Sequence, residues 1–288
     1  MITPENPPGF VVRTEAEKAA ADNGFRLARG AEGGWMRFGS TTARGEIWIG
    51  GASPGGPWFL AVERGEVAAE IGAEACAVPG APGAAAFAFE TLAPLYAALD
   101  RAWRLGVSLP DVPLRRFHAR AGNLPRATEA ERLVVQRIGQ DLFREALLAY
   151  WGGRCAVSGI EDPALLRASH IVPWAECASD AERLDVHNGL LLSALWDAAF
   201  DAGLVSFADE GAALVSGGLG ARAREALGLR AGAMVRIGGL SAGHRARLAW
   251  HRARYGFAAA ARPHPAPGRC PGATLSCGAG EGQGGRTP

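Results

Sequence analysis

The sequence predicts a two-domain α+β chain, and three observations carry that prediction. Residues 1–112 alternate helical and extended patterns. A stretch rich in proline and arginine interrupts them over 113–127, and from residue 128 a capped amphipathic helix opens a second region with its own strands and helices. At 288 residues the chain is long for one ordinary domain and suits two. Residues 258–288 decay into Ala, Pro and Gly and are expected to be a disordered tail.

In the N-terminal region, 1–112, "TEAEKAAADNGF" reads as a helix stopped by Asn23-Gly24. "GWMRFGS", "GEIWIGG" and "PWFLAVE" follow as three strands of a mixed α/β-sheet domain. "ETLAPLYAALDRAWRLG" places apolar residues at helical spacing and stops at Gly106. Trp35, Phe38 and Trp48 either line a recognition pocket or pack as core aromatics. The segment 113–127 reads as a linker in which Arg115, Arg116, His118 and Arg120 either touch a phosphate backbone or are simply solvated.

The second region, 128–257, starts with Thr128 and, three residues on, Glu131, the pattern of a capping box. Leu133, Val134, Ile138, Leu142, Phe143 and Leu147 make the apolar stripe of a long helix. "GGRCAVSGI" reads as a turn and short strand, and "RASHIVPW" as a second strand bearing His170. "DVHNGLLLSALWDAAFDAGLVSFADEGAALVSG" reads as loop, helix and a strand pair turning at Ala208 to Gly211. "SAGHRARLAWHRARYGF" is a terminal helix.

Composition narrows the function classes. Thirty basic and twenty-nine acidic residues give a net charge of +1, so the overall balance announces no nucleic-acid partner. Lys18 is the only lysine. Arginine suits bidentate phosphate recognition, but a GC-rich coding sequence also favours it. No apolar run approaches the roughly 18 residues of a membrane span. The N-terminus lacks the basic and apolar regions of a signal peptide, so a cytoplasmic protein is expected. Cys76, Cys155, Cys177, Cys270 and Cys277 are odd in number and form no C-x-x-C pair, which predicts neither a disulfide framework nor a structural zinc site.

The chemistry gathers in the second region. His170 lies in an apolar strand, Asn188-Gly189 follows a loop at the start of a helix, and Asp197 and Asp201 stand at i and i+4, on one helix face. A strand-borne imidazole and two carboxylates can converge on one hard cation and one water, with Mg²⁺ preferred to zinc. Each residue taken singly also has an ordinary role: a buried histidine, a turn, a solvated helix face. Their joint order carries the functional reading.

"QRIGQDLFREALLAYWGGRCAVSG", "LLRASHIVPW" and "NGLLLSALWDAAFDAGLVSF" together resemble an HNH endonuclease, over roughly Thr128 to Phe257. The nearest subgroup, with an Ala/Ser-His-Ile-x-Pro-Trp setting, is found in restriction and defence nucleases. The resemblance implies a C-terminal ββα-metal fold that hydrolyses DNA, double-stranded by expectation, with one divalent ion: Mg²⁺, or Mn²⁺ or Ni²⁺ in its place. It implies His170 as general base and Asn188 as the residue that holds the loop and orients that base. It further implies Asp197 as a metal ligand and Asp201 as a second ligand or a support for the first, with Ser169 at the position before the base where many relatives bring a ligand. Leu195 and Trp196 stand where relatives often carry another histidine. The candidate DNA contacts are Arg154, Arg167 and, in the terminal helix, Arg245 and Arg252, within a basic cluster that also holds His244, Arg247, His251 and Arg254. A homodimer is one expected assembly. Two other readings stay open: a nuclease released by a ligand or partner of the N-terminal region, and a non-catalytic DNA-binding protein with a degenerate site.

Overall fold

The structure, a computed structural model, describes residues 2–257 other than 126 and 231. The expected tail, 258–288, lies outside the described residues. In chain order the elements begin α1 (Phe10–Asp22), β1 (Leu27–Glu32), β2 (Trp35–Gly39), β3 (Ile47–Gly51), β4 (Trp58–Val62), α2 (Gly65–Glu70), β5 (Ala85–Phe89), α3 (Leu92–Ser108) and α4 (Asp111–Ala121). They continue with α5 (Glu129–Tyr150), β6 (Leu166–His170), α6 (Asp180–Arg183), β7 (Gly189–Ser193), α7 (Ala194–Asp201), β8 (Val205–Phe207), β9 (Ala213–Val215), α8 (Ala221–Ala226) and α9 (Ala242–Arg254). Helices and sheets segregate as an α+β chain does, and all these elements fall within one compact unit, Met1–Ala258.

The N-terminal sheet runs β1-β2-β3-β4-β5, antiparallel at every pairing. Its inner face packs on α1 and α3 through Val12, Ile49, Leu60, Leu95 and Leu99. Trp35, Phe59, Ala61, Val78 and Ala86 form a smaller cluster on the other face. β4 is therefore covered on both sides, and its run "WFLAV" is apolar throughout instead of alternating. The expected strands over 35–39, 47–51 and 58–62 are present; β1 and β5 join them. Phe38 faces the main core, whereas Trp35 and the half-buried Trp48 line an open cavity with Arg29 and Arg37.

Much of the expected connector is helical. Asp111 and Pro113 occupy the first turn of α4, where a missing N–H costs nothing, and Phe117 is buried. Arg116 pairs with Glu145 of α5.

α5 begins with the expected capping box: the Thr128 hydroxyl accepts from Glu131 N and the Glu131 carboxylate accepts from Thr128 N. Its buried stripe is Val135, Gly139, Leu142, Phe143, Ala146, Leu147 and Tyr150, while Leu133 and Val134 of the expected stripe are exposed. Two local expectations fail. "GGRCAVSGI" forms turns without a strand, tied down by Cys155, whose Sγ accepts from Ser158 N and Ser193 N. The helix expected after Asn188 begins only at Ala194, because "GLLLS" is the fully buried strand β7. A short apolar run lacks the periodicity to separate those two states.

Candidate active site

β6 and β7 pair antiparallel with His170 opposite Gly189, and α7 follows directly and packs on both strands. This ββα unit lays its helix against its hairpin, so the strand end carrying His170 and the helix face carrying Asp197 and Asp201 border one cleft of about 460 Å³. Ser169, Arg167 and Trp174 line the same cleft, with Trp250 of α9 and Tyr255 just after that helix.

Three contacts fix the His170 ring. It stacks on Phe143 with centroids 3.8 Å apart, meets the edge of Trp174 at 5.7 Å, and holds the Arg183 carbonyl through Nε2 at 2.9 Å. A carbonyl only accepts, so Nε2 carries the proton of the neutral ring and Nδ1 keeps its lone pair. Burial among these rings pushes the His170 pKa below the usual imidazole value; the Arg183 carbonyl opposes this.

Gly189 has a steric reason to be glycine. A Cβ there would stand 2.5 Å from Phe143 Cζ and 2.8 Å from a Leu147 methyl, so the missing side chain is what lets Phe143 lie under His170. One turn earlier on α5, a Cβ on Gly139 would meet Trp174 at 2.4 Å. The "Asn-Gly" pair is thus a packing device as well as a turn.

Asn188 is buried and does not line the cleft. Its Oδ1 accepts from Val172 N at 2.9 Å, and its Nδ2 donates to Val172 O at 3.1 Å and to Cys177 Sγ at 3.3 Å. It therefore clips the chain just after His170 to the short turn at Val186–Asn188. Arg183 is a second clip that the sequence did not reveal. Its guanidinium donates to Trp174 O, Cys177 O and Asp180, while its own carbonyl holds the imidazole.

The carboxylates of Asp197 and Asp201 share the cleft with the buried Ser169 hydroxyl, which donates to Asp201 Oδ1 at 3.3 Å. Burial raises the pKa of both acids. The negative charge of Asp197 adds to the rise at Asp201, and Ser169 and Arg167 oppose it at Asp197. Two like charges one turn apart in a partly desolvated cleft are what a cation would relieve. Among the described residues no group of three or more His, Cys, Asp or Glu could enclose an ion. The donors present are two carboxylates and a hydroxyl, all oxygen, and they fit a hard cation that keeps waters and takes oxygens from its substrate. Leu195 is exposed, and Trp196 is buried against Phe207.

The candidate DNA contacts separate by geometry. Arg167 lines the cleft, its Nη1 resting on the carbonyls of Ala164 and Leu166. Arg154 pairs with Glu161 on the surface. Arg245 donates to Asp209 O, and Arg252 to Phe207 O and the Asp209 carboxylate. Elsewhere on α9, Arg254 pairs with Glu176, Arg247 with Asp185, and His244 and His251 are buried. Most of the basic terminal helix thus holds the protein's own acids and carbonyls.

A charged network backs the Val186–Asn188 turn. His187 Nε2 meets Glu70 Oε1 at 2.7 Å and its Nδ1 meets Asp185 Oδ1 at 2.9 Å. Both ring nitrogens face carboxylates, so the ring is an imidazolium: burial pulls it down, but the two acids outweigh this and carry its pKa up to about 9. Arg247 holds Asp185 at 2.6 Å, and Tyr150 donates to Glu70 at 2.5 Å. Glu70 belongs to α2, so the N-terminal region supplies one anchor of the turn that carries Asn188.

Residues 155–208 match the family model described as HNH endonuclease. That span holds β6, the Val186–Asn188 turn, β7, α7 and β8, and with them His170, Asn188, Asp197 and Asp201. No curated protein matches the chain. An HNH domain in the C-terminal half points to a nuclease, for which DNA is the implied substrate.

Proposed function

We propose that the cleft hydrolyses phosphodiester bonds in DNA, with His170 as general base and a divalent cation held by Asp197 and Asp201. The observation that carries this reading is the fixed imidazole: its Nε2 proton is committed to the Arg183 carbonyl, and its Nδ1 remains to accept another, in the same cleft as the paired acids. A neutral imidazole held in one orientation is suited to take a proton from water near neutral pH. The water oxygen bonds to phosphorus as its proton passes to Nδ1, and the bond from phosphorus to the 3′ oxygen breaks. Arg167, which lines the cleft, would hold the phosphate, and Phe143 and Trp174 keep the base from turning away.

Asp197 and Asp201 would hold Mg²⁺, or Mn²⁺ or Ni²⁺, with the Ser169 hydroxyl, hydrogen-bonded to Asp201, as the third oxygen beside it. The ion, when bound, polarises the scissile phosphate and offsets charge on the departing oxygen. Asn188 is in this account a positioning residue. A restriction or phage-defence role follows from the motif resemblance, with double-stranded DNA as substrate.

The test is cleavage of plasmid DNA by the wild-type chain and His170→Ala over a panel of Mg²⁺, Mn²⁺ and Ni²⁺. We expect metal-dependent cutting that His170→Ala reduces by about 10²–10⁴-fold. DNA binding without cleavage under every metal would instead support a degenerate, non-catalytic site.

A further inference from the structure

Behind the turn that carries Asn188 lies a second cavity, of about 550 Å³, which shares no lining residue with the cleft. The ends of α2 and α5, one face of α3 and the loop before α9 enclose it. Arg101 and Arg104, at i and i+3 on α3, both line it. Arg101 spends Nε and Nη1 on the carbonyls of Glu70 and Tyr150, which leaves Nη2 3.8 Å from the Glu70 carboxylate. Arg104 spends Nε on Asp100, and its two Nη groups have no hydrogen-bond acceptor among the described residues.

Among the described residues, the carboxylate that lines the cavity, that of Glu70, is already committed. Glu70 takes His187 on one oxygen and the Tyr150 hydroxyl on the other, and the imidazolium balances its charge. Asp100 offsets Arg104, so Arg101 is the guanidinium that leaves the wall positive, and the N-terminal end of α9 begins at the same wall, at Ser241. Trp151 and Leu240 add apolar surface. A wall with spare cationic donors and an aromatic side suits an anion bearing several acceptor oxygens joined to a flat apolar body. The volume lies within the range of small-molecule pockets, roughly 300–1,000 Å³.

We propose that this cavity binds a phosphorylated ligand of mononucleotide size, and that its occupancy is felt at the active site through Glu70 and His187. The regulatory half of this proposal rests on the nuclease reading; the binding half does not. An anion at Arg101 competes with Glu70 for the same guanidinium and changes the field on the Glu70–His187 pair. That pair anchors the turn from which Asn188 clips the strand end at His170. Occupancy and the set of the base are thereby coupled.

The full chain, in chelator and without metal, is titrated by calorimetry with AMP, inorganic phosphate and adenosine. AMP is expected to bind, phosphate to bind at least tenfold more weakly, and adenosine to give no heat. Arg104→Ala should weaken AMP at least tenfold with an unchanged melting temperature, Arg104→Lys should recover part of the loss, and Arg167→Ala should leave AMP binding intact. Absence of AMP binding to the folded wild type overturns the proposal. So does AMP binding that survives Arg104→Ala and is lost in Arg167→Ala, since that places the nucleotide in the cleft. Saturating AMP should change the rate of DNA cleavage at least threefold in the wild type and not in Arg104→Ala; an unchanged rate with AMP bound removes the regulatory half. A chain that cuts no DNA defeats the nuclease reading while the calorimetry still decides the site.

Discussion

His170 and His187 lie seventeen positions apart in the sequence and are set to opposite protonation states. His170 has rings on two sides and one carbonyl, so its neutral form is favoured. His187 has a carboxylate on each nitrogen, so its charged form is favoured. The first arrangement makes a base and the second makes a bracket. Because the His170 pKa lies below its ordinary value near 6.5, the neutral base persists into mildly acidic solution. Single-turnover cleavage at saturating metal is expected to be flat through neutrality and to fall with unit slope only below pH 6.5. A limb centred above that value would mean that another group, or a raised imidazole, controls the step.

At the scale of elements, α5 does more than fill the core. Gly139 and Phe143, four residues apart on one face, receive Trp174 and carry His170. Gly189→Ala is expected to push Phe143 away from the imidazole, costing about 1–3 kcal/mol of stability by overpacking and slowing cleavage. Urea denaturation and the cleavage rate check this together, and a variant as stable and active as wild type would show that the close approach is relaxed at no cost. The sequence made the capping box, the shared face of Asp197 and Asp201 and the strand under His170 legible, because each depends on residues a few positions apart. It hid the strand at Gly189–Ser193, whose five buried positions show no alternation. It also hid the Phe143 stack, twenty-seven residues from His170, and the Arg183 carbonyl, which any residue type could supply.

At the scale of the molecule, the Glu70–His187 ion pair ties the N-terminal region to the turn that leads into β7. Glu70 and His187 are 117 residues apart, and nothing local to either announces the pairing. The His187 pKa is raised from 6.5 to about 9, so folding favours the protonated ring. The resulting stability is present in full below about pH 6.5 and is lost as pH rises through about 9, and it amounts to on the order of 3 kcal/mol. The wild type should therefore lose unfolding free energy between pH 7 and 9.5 more steeply than His187→Gln. Parallel pH profiles for the two proteins, from denaturant titrations, would show that the pair does not couple folding to protons.

The most direct test of the central claim is chemical rescue of the base. His170→Ala, confirmed as folded by its circular dichroism and melting temperature, is assayed on plasmid DNA with the best metal, with and without free imidazole. The rate is expected to fall by about 10²–10⁴-fold and to be partly restored by imidazole. Wild-type cleavage by His170→Ala would contradict the claim.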